Sequence, residues 1–202
     1  MPQLPRSTRA ALYKISKYNF GPSHPDVDPA IRIIDAAIGD GYLTGVDLAT
    51  FVDVCSKVAF VAVDKRDRVV GVGTGALVSG IESVAPADQH QSTLHLLPEI
   101  AGCPVGILKT VAVAPEARQL GLAGKLGTAL IAALRAMGAT TIVSLGWTDA
   151  DGCHIEPTLA RLGFEARGDI RGYWTADSIA HGYGCPTCGS PCLCTARLFA
   201  LN

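Results

Sequence analysis

A chain of 202 residues that is 49% hydrophobic and 17% charged can bury one substantial core, so it reads as a single domain over 1–202 and not as a disordered chain. Its 22 glycines and 12 prolines follow no period, which excludes a collagen-like rod, and 17 basic against 18 acidic residues leave a net charge of −1 that gives charge-driven nucleic-acid binding no footing. No stretch approaches the roughly 20 apolar residues of a membrane span, and 1–20 hold no apolar run of the signal-peptide kind, so a cytosolic protein with no membrane partner is expected.

In chain order, 10–18 fit a first strand, closed by Gly21-Pro22-Ser23-His24-Pro25. Ile31, Ile33, Ile34, Ala37 and Ile38 recur at helical spacing until Gly39, and Leu48, Phe51, Val52 and Val54 do so over 47–57, predicting two helices. The apolar runs 58–63 and 69–79 flank the charged turn Asp64-Lys65-Arg66-Asp67 and predict a hairpin. Residues 80–104, rich in Pro, Gln, His and Ser, make a long insertion, read either as a substrate-side lid or as a plain solvated loop. A strand over 105–113 precedes a helix over 121–137 that Gly138 stops. A strand at 140–147, a turn at 149–152, a short helix at 156–162 with Pro157 in its first turn, an extended segment at 164–174 and a last strand at 192–201 complete the chain.

The segment Val113-Ala114-Pro115-Glu116-Ala117-Arg118-Gln119-Leu120-Gly121-Leu122-Ala123-Gly124 carries the most information. A strand ends, small residues follow and a helix begins, which aims unpaired backbone amides and the positive end of a helix at one place. Gly121, Ala123 and Gly124 would let a diphosphate approach the backbone, and Arg118 would add a charge-assisted contact. As a bare pattern, such a turn is also ordinary structural punctuation.

These residues resemble the signature of the GNAT superfamily of acetyl-coenzyme A-dependent N-acetyltransferases: Val113-x-Pro115 at a strand end, then Arg118-x-x-Gly121-x-Ala123. The resemblance implies an α/β fold with a mixed, splayed central sheet flanked by helices. It implies that acetyl-coenzyme A is the co-substrate, with its pyrophosphate on the amides of Gln119, Leu120, Gly121, Leu122, Ala123 and Gly124 and with Arg118 opening the motif. The pantetheine arm would pair with Val111, Ala112 and Val113, and the thioester would lie where that strand parts from 140–147. The family often carries a thiolate-protonating Tyr four residues before a Gly-Phe pair; here Gly163-Phe164 is present but Leu159 holds that position.

Cys55, Cys103 and Cys153 are scattered, whereas Cys185, Cys188, Cys192 and Cys194 fall within ten residues. Cys185-Pro186-Thr187-Cys188 resembles half of a zinc knuckle, and in an extended Cys192-Leu193-Cys194 both sulfurs would face one side. Four thiolates predict a closed, structural zinc site, with His181 as a reserve ligand; a redox pair and free thiols are the competing readings.

His24, His90 and His95 read as solvated or capping residues. His154 follows the strand expected to border the thioester, beside Asp149, Asp151 and Glu156, so His154 oriented by Asp149 is the expected proton-transfer pair, a capping role being its rival. Trp147 and Trp174 read as core or pocket wall, and Arg6, Arg9, Lys14 and Lys17 as a solvated basic edge. The expected function is transfer of an acetyl group to a primary amine on a small molecule, protein or nucleic acid, with room for a homodimer. The alternative is a non-catalytic acyl-coenzyme A sensor or scaffold that contacts protein or nucleic acid through the cysteines.

Overall fold

The structure, a computed structural model, describes residues 12–21, 23–53, 55–80, 84–86, 89–100, 103–149 and 152–202. Arg6, Arg9, Asp151 and the first two residues of the expected strand over 10–18 lie outside them. The elements are β1 (Lys14–Lys17), α1 (Val27–Ile38), α2 (Gly45–Asp53), β2 (Lys57–Val63), β3 (Val69–Val78), α3 (His90–Leu96), β4 (Val105–Val113), α4 (Leu122–Ala136), β5 (Thr141–Asp149), β6 (Gly152–Cys153), α5 (Glu156–Arg161), β7 (Glu165–Ile170), α6 (Thr175–His181) and β8 (Thr195–Leu201), with 3-10 turns at Pro98–Ile100 and Pro115–Ala117. The strands form one sheet in the order β1-β2-β3-β4-β5-β8-β7, with β6 added to β5.

Only β4 and β5 run parallel, and they pair only from Val105 with Thr141 to Leu108 with Ser144. Beyond that point β4 stays on β3, and β5 stays on β8 as far as Thr148 with Thr195. The sheet is therefore splayed at its centre, as expected. The last rung is braced by Ser144 Oγ, which donates to Leu108 O at 3.1 Å.

The two faces of the sheet follow from alternation along the strands. Gly71, Gly73 and Gly75 form a stripe on β3 where an added Cβ would meet Leu126, Leu130 or Leu134 of α4 at 2.9–3.3 Å, so glycine lets α4 seat close to the sheet. Across β3 the register of β4 jumps from Thr110 to Leu108, leaving Lys109 as a bulge. The bulge flips the alternation. Leu108, then Val111 and Val113, join the α4 side of the core, whereas Ala112 joins the cluster built by Ala30 and Ile34 of α1 and Leu48 and Phe51 of α2. Helix α5 packs on α4 where Gly127 leaves room for Leu162. Arg197 of β8 ties α5 and β7 together, donating to Glu156 at 2.8 Å and to Asp169 at 2.8 and 3.1 Å.

Three expectations are corrected. The stretch 80–104 is not a plain solvated loop where it is described: α3 and the following turn run through it, and Val84, Leu97 and Ile100 are buried against Val105, Val143 and Leu198. The extended segment expected over 164–174 ends at Ile170, and a further helix, α6, precedes the cysteines. The last strand begins at Thr195, not at 192, so the cysteines lie in the connection before it. No helix among the described residues is long and apolar enough to cross a membrane.

Candidate functional site

The cofactor-binding candidates converge at the C-terminal end of β4. Gln119 and Gly121 take positive φ, 61° and 75°, which turns the chain from the 3-10 turn into α4 with Gly121 as its N-terminal boundary residue. The first amides of a helix have no acceptor within it, and the first backbone bond of α4 runs from Lys125 N to Gly121 O at 3.1 Å. Around these amides lies a cleft of about 280 Å³ lined by Val113, Arg118, Gly121, Ala123 and Gly124 among others. A Cβ at Gly121 or Gly124 would meet nothing within 4 Å, so packing does not demand glycine there. Open backbone at a helix start suits an approaching anion. Arg118 is folded back, its Nε–H donating to Val113 O at 3.1 Å. Leu120 and Leu122 are buried and serve as the hydrophobic footing of the turn.

Thr158 and Arg161 of α5 line the same cleft, a contribution the sequence reading missed. They stand one helical turn apart, and the α4–α5 contact at Gly127 brings them to the loop. Arg161 gives the cleft a second cation, so Arg161→Ala should weaken coenzyme A binding by about 1 kcal/mol, roughly fivefold, in a direct titration, the upper end for an exposed ion pair.

The opposite face of the sheet carries aromatic and sulfur chemistry. The sulfurs of Cys185, Cys188, Cys192 and Cys194 all lie within 4.8 Å of one another, with separations of 3.6 Å (Cys185 to Cys194), 3.4 Å (Cys188 to Cys194) and 3.9 Å (Cys188 to Cys192). A tetrahedral zinc with Zn–S bonds of about 2.3 Å needs sulfurs about 3.8 Å apart. The connection folds as a knuckle: Cys185 and Gly189 exchange two backbone bonds of 3.0 and 2.9 Å, with Gly189 at φ +76°. Thr187 N–H donates to Cys185 Sγ at 3.5 Å, and Leu193 N–H donates to Cys188 Sγ at 3.3 Å, a contact that favours thiolate at Cys188. Burial pushes the Cys194 thiol up to about 11 and Cys192 higher still; at Cys188 burial acts the same way but is outweighed by the Leu193 amide and the neighbouring thiols, which hold it below the ordinary range. Four sulfurs this close hold their negative charge together only with a cation among them. His181 is not among these ligands; its Nδ1 turns to Asp177 Oδ1 at 2.9 Å.

Trp147 and Trp174 pack on the cysteines. On β5, Trp147 shares a face with Val143 and Leu145, whereas a Cβ on Gly146 would point at Cys153 and Phe199 on the α4 side. The cysteine hook therefore lies across the sheet from the cofactor cleft. Tyr42, on the loop between α1 and α2, meets the Tyr183 ring edge-on at 5.7 Å and reaches toward Thr110 of β4. Thr110 Oγ1 is buried and makes no hydrogen bond to the described residues. Burial and then the charge of Asp177 raise the Tyr42 phenol to about 12, against the pull of Thr110. Sequence spacing offered no signal for this juxtaposition.

His154 Nε2 stands 3.3 Å from Asp149 Oδ2, so the expected pair is formed, with the imidazole largely exposed. Asp149 lies five residues past Ser144, about 16 Å farther along β5 at the usual strand rise. Leu159 is buried in the core against α4, so the place of the usual tyrosine is apolar. His24 caps a turn, its Nδ1 accepting from Asp26 N at 3.2 Å while its ring stacks on Phe20, and His90 binds Ala85 O at 2.8 Å.

The open, splayed sheet flanked by helices matches the fold of GNAT acetyltransferases, and the resemblance read from the sequence stands. The FR47-like protein family matches residues 89–175, a span that takes in β4, the cofactor turn, α4 and α5. Among solved structures, the chain is similar to a putative GNAT-family acetyltransferase of Desulfovibrio desulfuricans (15% identity, 94% of this chain and 98% of that one, TM-score 0.58). It is also similar to Arabidopsis thaliana NAA60 in complex with acetyl-CoA (14%, 93% and 98%, 0.62) and to Chaetomium thermophilum Naa20 in complex with a bisubstrate analogue (17%, 93% and 85%, 0.62). A comparison with curated proteins finds no match.

Proposed function

We propose that this chain is an N-acetyltransferase that moves an acetyl group from acetyl-coenzyme A to a primary amine. The observation that carries this reading is the open, amide-lined cleft at the start of α4, continuous with the strand β4 where it parts from β5. The diphosphate would rest on the amides from Gln119 to Gly124, with Arg118 and Arg161 as cations. An arm running back along Val113, Ala112 and Val111 would bring its thioester to Thr110. The neutral amine attacks the thioester carbon, the C–S bond breaks, the thiolate leaves and takes a proton, and the new ammonium loses one. The cofactor side of the gap is filled by the arm, so the amine has to arrive from the face that carries Tyr42 and Trp147. Release of free thiol from acetyl-coenzyme A in the presence of a panel of amines tests the reading; tight coenzyme A binding with no release for any amine overturns it. That result would favour the second reading, an acyl-coenzyme A sensor or scaffold, for which the apolar Leu159 speaks.

The cysteine hook fits one zinc per chain in a closed, structural site, in keeping with a reducing, cytosolic setting for its thiols. When bound, the metal would supply charge neutralisation and a cross-link rather than chemistry on the substrate. Metal analysis of protein purified without chelator should find about one equivalent, and Cys188→Ser should lower both metal content and melting temperature. Metal-free protein of equal stability would refute it.

A further inference from the structure

The hook touches both rims of the gap from the acceptor face. A Cβ on Gly39, at the end of α1, would lie 2.4 Å from Gly184 O and 3.3 Å from Pro186 Cδ, so the hook backbone sits directly on the loop 39–44. Tyr183, two residues before Cys185, packs its ring on Tyr42, which reaches Thr110 on the β4 rim. On the other rim, Trp147 of β5 packs against the cysteines. The hook is in turn bolted to α6, where Thr175 Oγ1 donates to Cys192 O at 2.6 Å and Cys192 N–H donates to Ser178 Oγ at 2.8 Å. The segment 183–194 thus joins the α1–α2 loop, β5 and α6 on that face.

We propose that the hook, closed on a zinc-type divalent cation, is the positioning element of the acceptor site: it holds Tyr42 and Trp147 at the two rims of the gap and so sets amine binding while leaving coenzyme A binding untouched. This rests on the acetyl-transfer reading and on the cysteines holding metal, and it goes beyond both by assigning the metal a task in acceptor recognition. The division of labour follows from the layout. The cofactor cleft is built from β4, α4 and α5 on one face, and none of its lining residues belongs to the hook, to α6 or to the loop 39–44. Losing the metal therefore relaxes one side of the gap only.

The geometry also supplies reporters. The only two tryptophans of the chain, Trp147 and Trp174, both pack on the cysteines, so intrinsic emission reads the hook alone. The test compares zinc-loaded protein, the same protein stripped by chelator and then reloaded, and Gly39→Ala, which keeps all four cysteines but pushes Gly184 off the loop. Stripping should shift tryptophan emission and speed amide exchange over 39–44, and reloading should reverse both. Coenzyme A affinity should stay within about twofold, while KM for the amine rises about tenfold or more, the range seen when groups supporting a metal site are lost. Gly39→Ala should retain the metal and reproduce the faster exchange and raised KM. Unchanged exchange and emission on stripping, failure to bind zinc at all, or a fall in coenzyme A affinity matching the loss of amine affinity would each overturn the proposal. If no amine supports turnover, the acetyl-transfer reading falls by itself, and exchange and emission still decide whether the hook organises this face.

Discussion

Gly121→Asp should give a well-folded protein that has lost coenzyme A binding by about a hundredfold or more, the scale of placing a charge against a diphosphate in a partly shielded site. The argument depends on where this residue sits. Gly121 is the N-terminal boundary residue of α4 at φ +75°, with nothing within 4 Å of a Cβ. Aspartate is among the few side chains that tolerate that backbone region, and at a helix start its carboxylate accepts from the free amides. The strain of a side chain at this φ is therefore small enough for the fold to persist, but the amides offered to the diphosphate are taken and a negative charge stands in their place. Gly121→Asn separates the two effects, since it has the same shape and capping ability without the charge. Isothermal titration with coenzyme A should rank wild type above Asn and Asn well above Asp; equal affinity for Asp and wild type in a folded protein would remove this loop from the site.

What the sequence disclosed and what it withheld divide along physical lines. The turn from Val113 to Gly124 was legible because its task is done by backbone, so the residues needed there are constrained by size and spacing over a dozen positions. The cysteines were legible for a similar reason, four sulfurs of one chemistry within ten residues. Helix α3 was not, because it is seven residues long and is held in place by burial, of Thr93 within it and of Leu97 and Ile100 just after it, the last two against Val105, Val143 and Leu198, and not by a long amphipathic pattern. Helix α6 was hidden similarly: it is seven residues long, exposes Ile179, and is fixed by Ser178 and Thr175 bonding to Cys192. Tyr42 and Arg161 belong to the site only through tertiary packing, by way of the hook for one and the Gly127 contact for the other.

The departing thiolate needs a proton, and the structure offers two groups of different standing. His154 is paired with Asp149 and remains the candidate from spacing, but the pair sits at the outer end of β5. An arm that pairs with Val113, Ala112 and Val111 ends at Thr110, and there the phenol is Tyr42, kept protonated by burial and by Asp177 up to about pH 12. A protonated phenol at the gap can donate to sulfur, and Thr110 Oγ1, buried without a hydrogen bond to the described residues, stands beside it on β4. Tyr42→Phe should then lower kcat by about a hundredfold, the typical contribution of a general acid, with coenzyme A affinity unchanged and the Tyr183 ring contact preserved. His154→Ala should leave kcat within a few-fold of wild type. With an acceptor amine that is already neutral at pH 7, the rate of the parent enzyme should hold steady across neutral pH and fall only as the phenol ionises far above it, because the form that donates is the one present below that point. A steep loss in His154→Ala with an active Tyr42→Phe would reverse the assignment and return the proton to the imidazole.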